Sequence, residues 1–532
     1  MEYMRKIRTG VLIVTLLVMI LTAVPAVLAS GGDMTGAAGD KTTADEIAAP
    51  FDGYLVKLDG DAARLFSADE DENLTAIAPD VYLAEDLEAA ERLESLGVVS
   101  YMEPNYIILL EDPEENPGEN PEENPGENPE EDPEENPGED ENENLEDEDW
   151  EETPWYFDML NMDYAEKYKI TGKGVRIGVI DSGINFDHEE FTGAKILEGK
   201  NYINEDEPPT DTVGHGTFIG GLIAAQAGNR VGMKGLAPDA EIVPLKCFDA
   251  KKGAVAGIVK GVYDSVDVWN CQVLNLSFSI DYDSKILREA IEHALESGVI
   301  VIAAAGNLSA GTAHKDGGDP LTYPAAWPGV IGVGAVTKDW VAASYSYRNT
   351  SVYISAPGSG LSAPACYSPI SYITGSGTSY AAPMVTAAAA LALSIKPDLT
   401  PDGFAALLSD TATDCGDPGY DIIYGDGILN IGWLLAAARG DVTGQASAML
   451  RAMEAREIYP SALLLCAYDE QGAFLSMKSF AISPDSLSKF NFNFSFYLKT
   501  SEYRGVNPAA WKLFALDIEN YQPLWKSYQI RK

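Results

Sequence analysis

Residues 375–393 read Gly-Ser-Gly-Thr-Ser-Tyr-Ala-Ala-Pro-Met-Val-Thr-Ala-Ala-Ala-Ala-Leu-Ala-Leu. Glycines 375 and 377 let the backbone turn tightly and approach another molecule closely. The alanine-rich run that follows predicts a helix. Pro383 is expected in that helix's first turn, where its missing N–H costs little. Ser379 would then stand at the helix N-terminus, where free N–H groups and the helix dipole favour a developing negative charge.

Two upstream turns carry the partners such a serine needs. Asp181 closes the apolar run Val175–Ile180, at the carboxyl end of a predicted strand, where parallel α/β folds build their sites. His215 lies in Gly-His-Gly-Thr, just ahead of the small-residue helix Phe218 to Ala225. A serine hydroxyl is a weak nucleophile unless an imidazole takes its proton. The imidazole in turn needs a carboxylate to fix its tautomer and stabilise its charge. Asn307, in Ala-Ala-Ala-Gly-Asn after the run Val299–Ala304, carries an amide able to donate to an oxyanion. His188, His293 and His314 lack comparable flanks and read as structural.

Further apolar runs at Glu241–Lys246, Val273–Leu276 and Val330–Val336 have the near-continuous character of strands covered on both faces. Helical spacings lie between them, as at Ile286, Ala290, Ile291, Ala294 and Leu295. The alternation predicts an α/β domain with a parallel sheet over residues 153–440. Residues 51–110 predict a small α+β unit: a strand at Tyr54 to Leu58, a helix over 86–96, and a strand opening at Val98 to Met102. Residues 441–532 predict a β module, with a hairpin of Leu463 to Tyr468 and Phe474 to Lys478, a period-two strand at Phe490 to Phe496, and another strand at Trp511 to Leu516.

The chain has 532 residues, 46% hydrophobic and 9% aromatic, which excludes wholesale disorder. Its formal net charge is −47, with no basic patch, which argues against nucleic-acid binding through a cationic surface. Residues 111–152 hold 23 Asp or Glu and no Lys or Arg. Their repeated Glu-Asn-Pro-Gly units have nothing to bury, and predict an extended, solvated linker. Arg5, Lys6 and Arg8 precede an apolar run from Val11, and Val27-Leu28-Ala29 suits cleavage, so residues 1–29 read as an export signal. No membrane association is expected once it is removed. The five cysteines show no CxxC pair and read as buried thiols, with a Cys366–Cys415 bond left open. Cys247 and Cys271 are expected at opposite ends of neighbouring parallel strands, too far apart to bridge.

In chain order and in its flanking residues, this constellation resembles the subtilisin family of serine proteases, the subtilases. The resemblance rests on Asp181-Ser182-Gly183, Gly214-His215-Gly216-Thr217, Gly235-Leu236-Ala237-Pro238, Asn275-Leu276-Ser277 and Ala304-Ala305-Gly306-Asn307. It continues through Tyr323-Pro324-Ala325, Ala356-Pro357-Gly358, Gly377 to Pro383 and Tyr424-Gly425-Asp426-Gly427, and so spans nearly all of 153–440. It implies an Asp181–His215–Ser379 triad with Asn307 as oxyanion donor, and hydrolysis of polypeptides with no cofactor for the chemistry. It also implies a primary pocket between Ser277, Ser279 and the strand of Ala304 and Gly306, with Thr322 at its base. With Leu308 as an apolar rim and no acid to pair a basic side chain, that pocket suits medium apolar residues. Residues 51–110, best at Tyr101 to Tyr106, resemble the family's inhibitory propeptide, so the chain's own N-terminal unit is an expected intramolecular partner. A structural calcium has candidate ligands in Glu190 and Asn229, although Arg230 in the same loop counts against a strong site. The chain departs from the family pattern at Tyr380, Ser279 and Phe218. The expectation is a secreted serine endopeptidase. The alternatives are a processing protease for a single partner, or a silent binding protein acting through its C-terminal module.

Overall fold

The structure, a computed structural model, describes residues 51–59, 73–110, 153–226, 232–250, 252–309, 311–315, 317–417 and 419–440, together with the backbone of 462–468, 474–481, 510–517, 522–523 and 528–531. The expected signal 1–29, the linker 111–152 and the strand at Phe490 to Phe496 lie outside these residues.

Residues 51–109 form β1 (Phe51–Leu58), β2 (Leu74–Ala78), β3 (Val81–Ala84), α1 (Leu87–Ser95) and β4 (Val99–Leu109). The strands pair antiparallel in the order β2-β3-β1-β4. Asp86 starts α1 by accepting the Ala89 N–H at 2.7 Å. Side chains alternate across β1: Val56 and Leu58 join Ala89, Ala90 and Leu93 of α1 in one apolar cluster. Leu55 faces the other way, into a cluster shared with the following domain.

That domain runs through α2 (Tyr156–Met159), α3 (Asp163–Tyr168), β5 (Arg176–Asp181), β6 (Lys195–Ile196), β7 (Lys200–Asn201), α4 (His215–Ala224), β8 (Glu241–Lys246), β9 (Lys252–Ala254), α5 (Val255–Asp267), β10 (Val273–Leu276) and α6 (Lys285–Glu296). It continues with β11 (Ile300–Ala304), β12 (Ile331–Val336), β13 (Ile354–Pro357), β14 (Leu361–Pro364), β15 (Tyr372–Gly375), α7 (Thr378–Ile395), α8 (Pro401–Thr411) and α9 (Ile431–Ala438). The main sheet has the order β13-β12-β11-β10-β5-β8-β6, with β7 also on β8, and every pairing is parallel. The α/β class expected from the apolar runs is the one observed. Ile177, Val179 and Ile302 point into the core with α4 and α7. Ile180, Leu274 and Val301 point into the opposite core with α5 and α6. Helix α7 is long and apolar enough to cross a membrane by length and composition, yet it is the buried core helix here.

The chain enters this sheet at β5, builds outward to β8, and returns past β5 to β10. Strand order reverses there, so a crevice opens at the carboxyl end of β5. Asp181 is the last residue of that strand.

Strand β4 runs on from the opening expected at Val98 to Met102, and its tail pairs antiparallel with β9: Ile107 with Ala254, Ile108 with Gly253 and Leu109 with Lys252. Ile108 and Leu110 are buried in the cluster that contains Phe248, Val255 and Phe278. Asn105 accepts the Ala256 N–H at the start of α5. Glu103 accepts from Ser284 Oγ and from the Lys285 and Ile286 N–H groups at the start of α6. Both helix starts therefore take acceptors from the N-terminal unit.

At the far end, β16 (Ala462–Tyr468), β17 (Phe474–Ala481), β18 (Ala510–Asp517), β19 (Gln522–Pro523) and β20 (Tyr528–Arg531) form an antiparallel sheet that contains the expected hairpin. Cys366 and Cys415 are not joined in a disulfide. Cys247 and Cys271 do not flank neighbouring strands as expected, because β5 lies between β8 and β10.

Candidate active site

Asp181 has no exposed surface, and its carboxylate accepts from His215 Nδ1 at 2.8 and 2.9 Å and from the Ser182 N–H at 2.7 Å. His215 is the first residue of α4. Gly216 packs so closely on the β5 turn that a Cβ there would lie 2.2 Å from the Gly183 carbonyl oxygen. A side chain at 216 would therefore push His215 away from Asp181.

Asp211, which the sequence reading passed over, holds this helix start. Its Oδ1 accepts the Val213 and Gly214 N–H groups, and its Oδ2 accepts the Thr217 N–H and hydroxyl. The signal was an acid three residues ahead of Gly214, because a glycine has no side chain to cap a helix itself.

Ser379 is the second residue of α7 and is 3% exposed. Its hydroxyl has no hydrogen-bond partner among the described residues, so of the expected triad the carboxylate–imidazole hydrogen bond is formed and the imidazole–hydroxyl hydrogen bond is not. The Tyr380 ring lies 5.4 Å from the His215 ring and 4.3 Å from the Phe218 ring, which brings the starts of α4 and α7 together. Two of the three departures from the family pattern, Tyr380 and Phe218, are thus each other's packing partners.

Asn307 is half-buried, and its Oδ1 accepts from both the N–H and the hydroxyl of Thr378 at 3.0 Å. With Oδ1 turned toward α7, the Nδ2 donors point away from Thr378. Gly306 has φ +100°, and a Cβ on it would meet the Tyr347 ring at 2.8 Å and Thr322 at 3.2 Å. Thr322 is buried and donates its hydroxyl to the Ala305 carbonyl at 2.8 Å. Ala304 is buried at the end of β11, while Ser279 stays half-buried. Ser277 is different: its hydroxyl is turned inward and donates to the Ser379 carbonyl at 2.7 Å. Its side chain is therefore not presented to a substrate.

Glu190 is fully buried, and its Oε1 accepts the Met233 N–H at 2.6 Å and the Tyr372 hydroxyl at 2.9 Å. Glu189 also directs an oxygen at the Tyr372 hydroxyl, at 3.0 Å. A phenol has one proton to donate, so acceptors are in surplus here. Asn229, the other expected metal ligand, lies outside the described residues, among which no three His, Cys, Asp or Glu side chains cluster as a metal site. Burial, with Asp181 nearby, pushes the Cys247 thiol up, so it stays protonated beside the site.

Pro383 is not in the first turn of α7 as expected. It is the sixth helical residue, four after Ser379.

The pattern described as "Subtilase family" matches residues 172–427. Subtilisin DY of Bacillus licheniformis is 33% identical over 287 residues, which cover 53% of this chain and 98% of that protein. The thermostable alkaline protease of Halalkalibacterium halodurans is 31% identical over 283 residues, covering 53% of this chain and 73% of the relative. The minor extracellular protease Epr of Bacillus subtilis is 33% identical over 277 residues, covering 52% and 40% respectively.

Proposed function

The chain belongs to the subtilase family and is a serine endopeptidase of polypeptides; on that premise we propose that it is secreted, is matured by removal of its N-terminal unit, and cleaves through an acyl-enzyme. The observation that carries the reading is the buried Asp181–His215 pair. A carboxylate on Nδ1 leaves Nε2 as the nitrogen that takes a proton. In the proposed mechanism Ser379 Oγ attacks the scissile carbonyl while His215 accepts its proton, and Asp181 stabilises the imidazolium. Asn307 Nδ2 donates to the oxyanion, its orientation held by Thr378. His215 then protonates the leaving amine, and water repeats the sequence on the acyl-enzyme. The hydroxyl–imidazole contact missing at rest is one that substrate binding commonly tightens.

Residues 51–110 are proposed as the inhibitory propeptide. Support comes from β4, whose tail occupies the β9 edge. Asp249, just before β9, accepts from Thr212 in the turn that leads to His215, so this edge borders the site. Secretion is supported by the basic and apolar start of the chain and by the printed name of one relative, a minor extracellular protease. A structural calcium held by Glu190 and Asn229 is proposed on the hard oxygen ligands these side chains carry. The buried Thr322, beneath Gly306, supports a shallow apolar primary pocket.

A fluorophosphonate probe should label the parent enzyme and not Ser379→Ala, and N-terminal sequencing should find the parent cut within 111–152 and the variant uncut. An unlabelled parent would favour the silent binding protein, and normal processing of the variant would assign maturation to another protease. Asn307→Ala should lower kcat by on the order of 10²–10³-fold with KM little changed; an unaltered kcat would remove Asn307 from the site. A peptide library should show cleavage after Leu or Met rather than Arg or Lys, with basic preference counting against this pocket. A chelator should lower the thermal midpoint and added calcium restore it, whereas an indifferent midpoint would dismiss the ion.

A further inference from the structure

In a helix the carbonyl of one residue accepts the N–H of the residue four further on. For Ser379 that residue is Pro383, which has no N–H and whose ring crowds the same carbonyl. The Ser379 backbone is buried, and an acceptor left unpaired there carries its full desolvation cost. Ser277 supplies the missing donor, its Oγ lying 2.7 Å from the Ser379 carbonyl oxygen.

The hydroxyl is aimed by a directional chain. Asn275 Nδ2 donates to Ser277 Oγ at 2.8 Å, so the hydroxyl's one proton is committed to Ser379. Thr386 Oγ1 lies 2.8 Å from Asn275 Oδ1, nearer than its own helix acceptor, the Ala382 carbonyl at 3.1 Å, and so favours that orientation of the amide. The chain thus leaves α7 at Thr386, crosses β10 at Asn275, and returns to the same helix at Ser379. All three side chains are buried. Among the described residues the Ser379 hydroxyl finds no hydrogen-bond partner, so its position follows the backbone of this turn.

We propose that Ser277 is a positioning residue for the nucleophile: it replaces the helical donor that Pro383 lacks, and so sets the first turn of α7 and the approach of Ser379 to His215. This rests on the reading of Ser379 as nucleophile.

A double-mutant cycle on the mature enzyme, expressed from the full chain, tests it, since Pro383→Ala restores an N–H to the Ser379 carbonyl. Ser277→Ala should slow fluorophosphonate labelling and lower kcat about tenfold, with KM changed less than about twofold, as loss of one buried hydrogen bond to the reacting segment does. In the Pro383→Ala background the same change should cost less than about threefold. Ser277→Thr, which keeps the hydroxyl, should recover most of the labelling rate. Parent-like kcat in Ser277→Ala, or an equal loss in both backgrounds, would overturn the positioning role. Should Ser277→Ala alone fail to accumulate, the double variant decides: active protein supports the role, and inactive folded protein overturns it. A parent that takes no label would instead bring down the nucleophile assignment, and the positioning role with it.

Discussion

A carboxylate with no exposed surface ends the central strand of the sheet, and much of the site follows from the need to satisfy it. Burying an ion without partners costs several kcal/mol or more, so Asp181 requires donors on its oxygens. Ser182 supplies one through its N–H, and His215 supplies the other. That second bond fixes where α4 begins and how near it comes to β5. The start of α4 has no side-chain cap of its own, so a second buried carboxylate, Asp211, gathers its N–H groups. Tyr380 then packs across His215 and Phe218 and sets α7 beside α4.

Most of the parallel sheet was legible because its strands are buried on both faces and so appear as unbroken apolar runs. Helix α6 was legible for the complementary reason: Ile286, Ala290, Ile291 and Ala294 repeat on one face. The length of β4 was not. Beyond Met102 the segment contains Glu103, Pro104 and Asn105, and its tail is a strand because β9 pairs with it. That pairing joins residues far apart in the chain, and local pattern carries no trace of it. The misplaced Cys247 and Cys271 fail for a related cause: composition identifies strands but not their order, and β5 intervenes.

At the candidate site, Asp181 ends a strand, His215 opens a helix and Asn307 follows a strand, which is why the sequence singled them out, and the structure brings Asp181 to His215 at hydrogen-bond distance. What escaped was the support. Ser277 was read as lining a pocket from the family resemblance, yet its hydroxyl turns inward. The reason lies at Pro383, whose place in α7 depends on where the helix begins. Starting the helix at Thr378 puts the proline beyond the first turn and opposite the Ser379 carbonyl. A shift of a few residues in a helix boundary thus decides whether a proline is harmless or creates a demand met from another strand.

The N-terminal unit is tied to the following domain by groups of unequal consequence. Asn105 and Glu103 take N–H groups at the starts of α5 and α6. First-turn donors can turn to water instead, at about 0.5–2 kcal/mol for each lost cap. Leu55, Val81, Ile108 and Leu110 are buried in a cluster with α5 and α6, and water cannot replace that contact. The apolar cluster is therefore what couples folding of the unit to folding of the α5–α6 face, while the polar caps set its register. By contrast, the bonds described for the carboxylate of Asp181 and the amide of Asn307 come from Ser182, His215 and Thr378, all within the parallel-sheet domain. Departure of the unit would uncover the β9 edge and two helix starts while leaving those bonds intact. The contacts that tie the unit to the α5–α6 face and the contacts that hold Asp181 and Asn307 are thus different sets, and the second set survives loss of the first.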